Sequence, residues 1–387
     1  MTEWKEYKFS DFVEINPSVK IPKGIPVSFV EMKDLDSSVR YCESSQKKEL
    51  AGGSRFIDGD TLFARITPCM ENGKICQVRN LENGIGFGST EFHVLRGKEG
   101  VSDSDFVYYL SRWDEVRDHA EHNMEGSSGR QRVPKQAFDN LYLCLPPLNT
   151  QRRIAAILSS LDDKIDLQHR ENATLEQMAE TLFRQWFVED AKEEWKEGKL
   201  GDLIDVKSGF AFKSSSFVDF GLYRLITIKA VQDGFLTLEN ADYISEIPDN
   251  IKDYCLLKEG DILLSLTGNV GRCCLVDRER LLLNQRVALL CAKDNKNWAF
   301  VYTLFRMQSM KSKLEEMAKG TAQPNLSPIE LSNMQFEIPP TKLLEGFSEA
   351  ATPLLRKILS NNKQIQTLIQ TRDGLLPRLM DGEVKIL

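Results

Sequence analysis

The sequence lacks the features that mark a membrane, secreted or metal-binding protein. None of its apolar runs approaches the 18 or more residues of a membrane span. The first residues, MTEWKEYKF, do not resemble a signal peptide, so we expect a cytoplasmic protein with no membrane contact. The eight cysteines include no CxxC pair, which indicates reduced thiols. The four histidines have no cysteine pair at zinc spacing nearby, so we predict no metal site.

Sequence motifs for catalysis are missing as well. There is no GxxxxGK[ST] phosphate loop, which excludes a P-loop motor. The two double prolines follow Leu145 and Ile338, not the asparagine of the Asn-Pro-Pro-aromatic motif of amino-methyltransferases. Ser127–Ser128 and Ser208–Gly209 have no histidine base at motif spacing. We therefore predict a binding protein without catalytic residues.

Two long heptad patterns are the strongest signal that is present. In the first, apolar residues recur at alternating steps of four and three over 148–187, with no Gly or Pro inside. This pattern predicts one helix roughly 57 Å long. A similar pattern returns near the other end of the chain. The predicted contact residues, called the helix seam below, are Ile154, Leu158, Leu161, Ile165, Asn172, Leu175, Leu182 and Trp186 in the first helix and Phe347, Leu354, Ile358, Asn361, Ile365, Leu368, Leu375 and Leu379 in the second.

Each long helix follows a short apolar strand and a double proline. Pro146–Pro147 and Pro339–Pro340 exclude a helix or a central strand through them, so they mark boundaries. We expect the two helices to pack as an antiparallel coiled coil in which Asn172 lies opposite Asn361. A buried amide pair costs stability but fixes the register, whereas partly solvated amides would not.

The chain contains an internal repeat of about 193 residues. EWKEYKFSDFVEI (Glu3–Ile15) reappears as EWKEGKLGDLIDV (Glu194–Val206), and DFVYYLSR (Asp105–Arg112) as AFVYTLFR (Ala299–Arg306). Short β-rich runs and one helix, over about 103–123 or 297–319, predict an α+β fold for each half. The predicted organisation is a first domain over 1–146, a long helix over 147–191, a second domain over 192–339, and a long helix with a tail over 340–387.

The tandem arrangement resembles the specificity subunit of type I restriction–modification systems. The resemblance is carried by PPLNTQRRIAAILSSLDDKI after the first half, by LLPRLMDGEVKI, and by GDTLFARITP, GSTEFHVLR and GSSGRQRVP within the first half. The second half departs from the last two motifs with NQRVALL and GTAQPNLS. The resemblance implies a non-catalytic DNA-recognition subunit with two target-recognition domains. Each domain would read one half of a bipartite, asymmetric site in double-stranded DNA, and the helices would hold the spacer length.

The resemblance also implies partners. They are two copies of a modification (methyltransferase) subunit, which would carry S-adenosylmethionine, and a restriction/translocase subunit; the chain itself would have no cofactor. Two alternatives remain open: a specificity subunit for a fused restriction–methyltransferase polypeptide, and a coiled-coil adaptor between two non-DNA domains. The net charge of −7 predicts modest DNA affinity for the chain alone. The apolar residues expected on the outer helix faces are Leu148, Ile157, Met178, Phe183, Leu343, Leu344 and Leu355. Two alternatives remain open for them: they face partner proteins, or they pack against the globular halves.

DNA contacts are expected from polar and basic residues on loops. Arg and Lys recognise guanine, and Asn and Gln recognise adenine, in the major groove. The residues predicted to bind DNA are Arg65, Thr67, Asn72, Lys74, Ser89, Thr90, Ser128, Arg130, Gln131 and Arg132 in the first half, and Lys213, Ser214, Thr267, Asn269, Arg272, Gln285, Arg286, Thr321, Gln323 and Asn325 in the second. The alternative for each is a solvated loop residue or a phosphate contact.

Overall fold

The structure, a computed structural model, describes residues 4–22, 24–189, 195–238, 241–318 and 325–384. The chain forms two compact units. The first unit comprises Met1–Leu167 and Ile365–Leu387, and the second comprises Gln168–Gln364. The division runs through both long helices, which the predicted boundaries keep as separate segments. Below, the first lobe means residues 4–146 and the second lobe residues 195–339.

The first lobe consists of short strands, two helices that form a pair, and one single-turn helix. Its strands are β1 (Lys5–Lys8), β2 (Val13–Ile15), β3 (Val27–Val30), β4 (Tyr41–Cys42), β5 (Gln46–Lys48), β6 (Ser54–Ile57), β7 (Thr61–Ala64), β8 (Ile75–Val78), β9 (Ile85–Gly88), β10 (Phe92–Gly97) and β11 (Tyr142–Leu145). Its helices are α1 (Phe9–Phe12), α2 (Ser104–Arg112) and α3 (Asp114–His122), and the long helix α4 (Leu148–Arg184) follows.

The first lobe contains three sheets. The central sheet has the order β2-β10-β7-β8-β4, a second has the order β5-β3-β9-β6, and β1 pairs with β11. Helix α2 covers the central sheet because its apolar stripe, which includes Phe106 and Leu110, is fully buried against Phe63, Ile75 and Leu95 of the strands. The hydrophobic core of the first lobe therefore lies between this sheet and α2.

The second lobe repeats this plan. Its strands are β12 (Lys196–Lys199), β13 (Ile204–Ser208), β14 (Phe217–Val218), β15 (Tyr223–Ile226), β16 (Tyr243–Ile244), β17 (Leu256–Leu257), β18 (Ile262–Ser265), β19 (Cys273–Leu275), β20 (Leu281–Leu283), β21 (Val287–Ala292) and β22 (Gln335–Ile338). Its helices are α5 (Trp298–Arg306), α6 (Gln308–Ala318) and α7 (Pro328–Asn333), and the long helix α8 (Thr341–Met380) follows. The sheet β13-β21-β18-β19 corresponds to β2-β10-β7-β8, and β14-β16-β15-β20-β17 is the second sheet. The predicted fold class, α+β with two repeated lobes and long helices, is confirmed.

The helix predicted over 103–123 is two helices, and so is its counterpart over 297–319. Trp113 (ψ 138°) and Met307 (ψ 132°) have extended backbone between α2 and α3 and between α5 and α6. The break in the first lobe redirects the chain so that α3 buries Val116 and Ala120. The prediction of one continuous helix was therefore wrong in both lobes.

In the first unit, the seam between the long helices contains a buried ion pair. Arg372 donates from Nη1 to Asp162 at 2.7 Å, and their side chains are only 4% and 1% exposed. The hydroxyl of Tyr109 on α2 donates to the other oxygen of Asp162 at 2.6 Å. Ile154 and Leu158 are buried in the same core as Leu379, Leu376 and Met380. The first part of α4 and the last part of α8 therefore pack together, with the first lobe bonded to both.

In the second unit, amides take the place of the ion pair. Asn361 donates to Asn172 at 2.9 Å, as predicted, and Gln168 donates to Gln364 at 2.6 Å. Because Gln168 precedes Asn172 while its partner follows Asn361, the two segments run antiparallel. Of the remaining seam residues, Ile165, Phe347, Ile358 and Ile365 are buried, whereas Leu161, Leu175, Leu182, Trp186, Leu354, Leu368 and Leu375 are partly exposed.

The outer helix faces are less available than the sequence predicts. Phe183, Leu344 and Leu355 are 6%, 3% and 0% exposed because they lie in the core of the second lobe. Of the two alternatives for these three residues, packing against a lobe is the one that the structure shows. Leu148 and Leu343 are half-buried, and only Ile157 and Met178 are exposed, at 37% and 48%.

Candidate nucleic-acid interface

In the first lobe, three loops meet beside the ends of β7 and β10. The N–H of Arg65, just after β7, donates to the carbonyl of Glu91, just before β10, at 3.0 Å. The N–H of Val133 donates to the carbonyl of Arg65 at 2.8 Å, and the N–H of Thr67 to that of Gln131 at 3.0 Å. The fold therefore brings residues from three separate sequence motifs onto one surface, called the first loop surface below.

Glu91 and Arg132 form an ion pair on the first loop surface. Nε of Arg132 donates to both carboxylate oxygens of Glu91 at 3.0 Å, and Nη2 donates to one of them at 2.7 Å. The remaining nitrogen, Nη1, donates to the carbonyl of Arg130 at 3.2 Å. The hydrogen-bonded carboxylate raises the pKa of Arg132, and 42% of the Arg132 side chain stays exposed.

The second lobe builds a corresponding surface beside β18 and β21. The N–H of Leu266 donates to the carbonyl of Arg286 at 3.1 Å, and the N–H of Leu326 donates to that of Leu266 at 2.8 Å. Thr267 donates from its hydroxyl to Oδ1 of Asn325 at 2.7 Å. An open cavity of about 450 Å³ lies here, the second loop surface below, lined by Ser208, Leu266, Thr267, Gln285, Arg286, Asn325, Leu326, Ser327 and Pro328.

Two pairs of positions are equivalent in these surfaces. Glu91 directly precedes β10 and Arg286 directly precedes β21, and the carbonyl of each accepts a hydrogen bond from the loop after the neighbouring strand, β7 or β18. Their own N–H groups both donate to the side chain two residues earlier, that of Ser89 at 3.1 Å or Asn284 at 3.4 Å. Val133 and Leu326 each donate their N–H to the loop after the neighbouring strand. The residues just before them, Arg132 and Asn325, are therefore equivalent as well. One backbone arrangement therefore presents different side chains in the two lobes.

The predicted DNA-binding residues divide by exposure. Exposed residues are Asn72, Thr90, Ser128, Arg130, Lys213, Ser214, Asn269, Gln285, Arg286 and Asn325. Half-buried residues are Arg65, Lys74, Ser89, Gln131, Arg132, Thr267 and Arg272. Thr321 and Gln323 lie outside the described residues. Asn72 lies in the turn between β7 and β8, and Lys213 and Ser214 lie at a short turn after β13, so the structure does not bring every predicted residue into the two loop surfaces.

Apart from the predicted residues whose bonds are given above, three further ones have side chains that bind within the protein. Lys74 donates to the carbonyl of Met32 at 2.9 Å, and Arg272 donates to Gln232 at 2.6 Å. Thr67 is 7% exposed, and its hydroxyl accepts the N–H of Gln131 at 3.2 Å. These side chains shape the loops, because a buried or bonded donor loses its partner if it turns to DNA.

Sequence reasoning missed Glu91, Ser208 and Ser327. The predicted DNA-binding residues are cations, amides and hydroxyls in the loops with most polar residues, so an acidic residue such as Glu91 was not among them. The available signal was local, since Glu91 stands between the predicted Thr90 and the strand motif FHVLR. Ser208 and Ser327 line the second loop surface but come from two different sequence motifs, at the end of β13 and before α7.

His93 supports the first loop surface from inside. It lies on β10 with Nε2 2.8 Å from the carbonyl of Val133, and Asn16 lies 3.3 Å from Nδ1. The arrangement fits a neutral ring that donates from Nε2 and accepts from Asn16 at Nδ1. Burial lowers the pKa of His93 to about 4, and Arg65 and Lys135 act in the same direction. The ring is therefore uncharged at neutral pH and connects β10 to the loop that carries Arg132.

Two further features are absent from the described residues. No group of three or more His, Cys, Asp or Glu side chains in that part of the chain is placed to hold a metal ion. Within the same described ranges, every helix is too short or too polar to cross a membrane.

Comparison with protein families gives a match in each half. The family described as "Type I restriction modification DNA specificity domain" matches residues 1–177 and again residues 192–368. The MjaIX specificity subunit of Methanocaldococcus jannaschii is 28% identical, with 99% of this chain and 94% of that protein covered. The HindI specificity subunit of Haemophilus influenzae is 25% identical, with 99% and 100% covered.

A solved structure has a similar fold. The crystal structure of a type I restriction–modification S subunit from M. genitalium aligns with 98% of this chain and 96% of that chain. Its sequence identity is 16% and its TM-score is 0.53, so the likeness concerns the fold.

Proposed function

The chain belongs to the family of type I restriction–modification DNA specificity proteins, and from this premise we propose that each lobe recognises one half of a bipartite, asymmetric DNA site. One observation carries the proposal. The two lobes share a backbone arrangement at their loop surfaces, yet Glu91 and Arg132 in the first correspond to Arg286 and Asn325 in the second. Similar surfaces with different donors and acceptors favour two different base sequences.

The test is to sequence the methylated positions in the host genome with and without this gene. We expect one motif to disappear on deletion, consisting of two unlike blocks separated by bases that are not specified. A palindromic or uninterrupted motif, or an unchanged set of methylated positions, would contradict the proposal. The non-DNA adaptor predicts the last of these results.

We propose that catalysis resides in partner proteins. The partners are two copies of a modification subunit, which would bind S-adenosylmethionine, and a restriction/translocase subunit. The sequence supports this division because it contains no P-loop and no amino-methyltransferase motif. Co-purification followed by native mass measurement tests it. Two methyltransferase chains per chain of this protein are expected, whereas a fused restriction–methyltransferase polypeptide would appear as a single heavier partner.

We propose further that α4 and α8 determine the number of unread base pairs between the two half-sites. The support is that each helix is continuous across the boundary between the compact units. Inserting seven residues after Leu167 and seven before Ile365 preserves the heptad pattern of both helices. Because this adds roughly 10 Å of helix and DNA rises about 3.4 Å per base pair, we expect a spacer longer by about three base pairs. An unchanged spacer would exclude this role.

A further inference from the structure

The geometry points to Arg132 as a guanine-reading residue of the first lobe and to Glu91 as the positioning residue that orients it. The inference rests on the proposed function, since it assumes that the first loop surface faces DNA. It begins from the ion pair between the two side chains, which has a defined geometry. Glu91 contacts the side of the guanidinium formed by Nε and Nη2.

This geometry leaves one edge of the guanidinium free. An arginine has five N–H donors: one on Nε and two on each Nη. Glu91 takes the Nε donor and one on Nη2, and the carbonyl of Arg130 takes one on Nη1. One donor remains on each Nη nitrogen of Arg132. We assign to Arg130 the Nη1 donor nearest Cδ; the two donors that remain then lie parallel on this edge and match the O6 and N7 acceptors of guanine in the major groove.

Both partners of the pair are held by their backbones. The N–H of Glu91 donates to Ser89, and its carbonyl accepts from Arg65. The N–H and the carbonyl of Arg132 both pair with Glu125, at 2.8 and 2.9 Å. Because main chain and side chain are fixed before DNA binds, little conformational entropy is lost when a base is contacted. An unrestrained surface arginine has no such advantage and contacts a phosphate equally well.

The second lobe supplies the comparison. At the equivalent positions it carries Arg286 and Asn325, and Asn325 accepts a hydrogen bond from Thr267. Among the described residues, the Arg286 guanidinium has no hydrogen-bond or ion-pair partner. The oriented arginine is therefore a feature of the first lobe, and its effect is expected in one half-site only.

The experiment uses the full-length chain with its methyltransferase partner and the target site mapped from the host genome. Each base pair of both half-sites is varied in turn, and binding of each duplex is measured by competition. For the wild type, one G·C pair of the first half-site is expected to be preferred by about 5- to 150-fold, the range for a bidentate contact. Arg132→Ala is expected to reduce that preference below about 2-fold and to leave the second half-site intact.

The Glu91 variants test positioning. Glu91→Ala is expected to weaken the preference at the same base pair, although Glu91 itself touches no base. Glu91→Gln keeps one acceptor oxygen and is expected to lose less. Arg130→Ala removes the same charge from the same loop and serves as the control. Retained preferences at the other base pairs of the first half-site show that the first lobe of each variant is folded.

Several outcomes separate this inference from the proposed function. If the wild type has no bipartite motif, the proposed function itself fails. If the motif exists but Arg132→Ala lowers affinity equally for every sequence and only reduces the salt dependence, Arg132 contacts a phosphate and the inference is overturned. If Arg132→Ala changes one base preference and Glu91→Ala does not, Glu91 is not a positioning residue. If Arg130→Ala removes the same preference, the Glu91–Arg132 pair is not the guanine-reading element.

Discussion

The two lobes share backbone hydrogen bonds at positions where their side chains differ. Each enters a buried strand through a Gly-Asp turn in which the glycine has a positive φ, 87° at Gly59 and 85° at Gly260. The carboxylates of Asp60 and Asp261 both accept a backbone N–H three residues earlier, at 2.8 and 2.7 Å. The carbonyls of Glu91 and Arg286 are bonded alike, although their side chains carry opposite charge. The comparison indicates that backbone hydrogen bonds preserve the loop positions while side chains vary.

The interiors of the lobes have diverged as well. Arg96 forms two bonds of 2.6 Å to buried Asp60, whereas the equivalent position next to Asp261 is Cys291. His93 has a buried alanine as its counterpart in β21. The seam of the first unit contains Asp162 and Arg372, and that of the second contains amides. At these positions the first unit therefore has ion pairs and a neutral histidine where the second has amides, a cysteine and an alanine, so its stability should respond differently to mutation and pH.

The largest expected effect is at the ion pair of the first unit. Arg372→Leu leaves the carboxylate of Asp162 buried with only the Tyr109 hydroxyl as a described hydrogen-bond partner. We expect unfolding free energy to fall by about 3–5 kcal/mol, the usual cost of removing one partner of a buried pair. Chemical denaturation of the full chain measures it. Arg378→Leu, which removes an exposed arginine from the same helix, is the control and should cost under about 1 kcal/mol.

A double variant sharpens that result. Replacing Asp162 and Arg372 together by apolar residues removes both charges, so most of the lost stability should return. A loss of less than about 1 kcal/mol in the single variant would show that the pair does not distinguish the two seams.

The sequence was sufficient to predict the long helices and the duplication. A heptad pattern that follows a double proline defines a helix start and a contact stripe without reference to the rest of the fold. The meeting of Asn172 and Asn361 follows from the same periodicity. The fold class could therefore be predicted from these local patterns and from the repeated motifs.

Other features depended on contacts that the sequence does not display. The heptad pattern finds the stripe between two helices but not the lobe that packs on the opposite side, which is why the sequence could not decide whether Phe183 and Leu355 face a partner or a lobe. The breaks at Trp113 and Met307 have no proline or glycine beside them, so no local residue type marks them in the sequence. Glu91 gains significance only beside Arg132, 41 residues later in the chain.

Acid should destabilise the first unit through His93. Its pKa in the folded protein is about 4, below the ordinary value of 6.5, so the unfolded chain binds the proton first as pH falls. The stabilisation is complete above pH 6.5 and is lost towards pH 4, by about 3 kcal/mol over the whole interval. Unfolding free energies of the wild type and His93→Gln, measured at pH 7 and 4.5, isolate this contribution because the other titrating groups cancel.

The second lobe has no histidine anywhere in residues 195–339, so it has no matching contribution. If the difference in unfolding free energy between the wild type and His93→Gln is the same at pH 7 and pH 4.5, His93 is not the source of the acid sensitivity.

Removing Arg96 should make the interior of the first lobe resemble that of the second. Burial raises the pKa of Asp60, and the hydrogen bonds from Arg96 partly oppose that shift. Arg96→Ala is expected to cost about 2–3 kcal/mol at pH 7, less than a fully buried pair because Arg96 is 20% exposed. Without these hydrogen bonds the pKa of Asp60 should be higher in the variant than in the wild type. Protonation of Asp60 then stabilises the folded variant more than the folded wild type as pH falls, so the cost of the substitution should shrink towards pH 4.

Cys291→Ala in the second lobe is the matched variant and removes no charge. We expect it to cost about 1 kcal/mol or less, with no dependence on pH in this interval. Equal costs for Arg96→Ala and Cys291→Ala would mean that the ion pair adds nothing beyond the side-chain packing.

The smallest effect, and one of opposite sign, is expected at Asn361. This side chain is fully buried; its Nδ2 donates to Asn172 and Glu171, but its Oδ1 accepts no hydrogen bond from the described residues. Asn361→Leu removes that unbonded acceptor and adds apolar surface to the seam, so unfolding free energy should rise by about 1 kcal/mol. Denaturation of the full chain, run beside Arg372→Leu, measures both seams under one condition. A lower stability for Asn361→Leu would mean that its two bonds outweigh the unbonded oxygen, and that both seams depend on their polar residues.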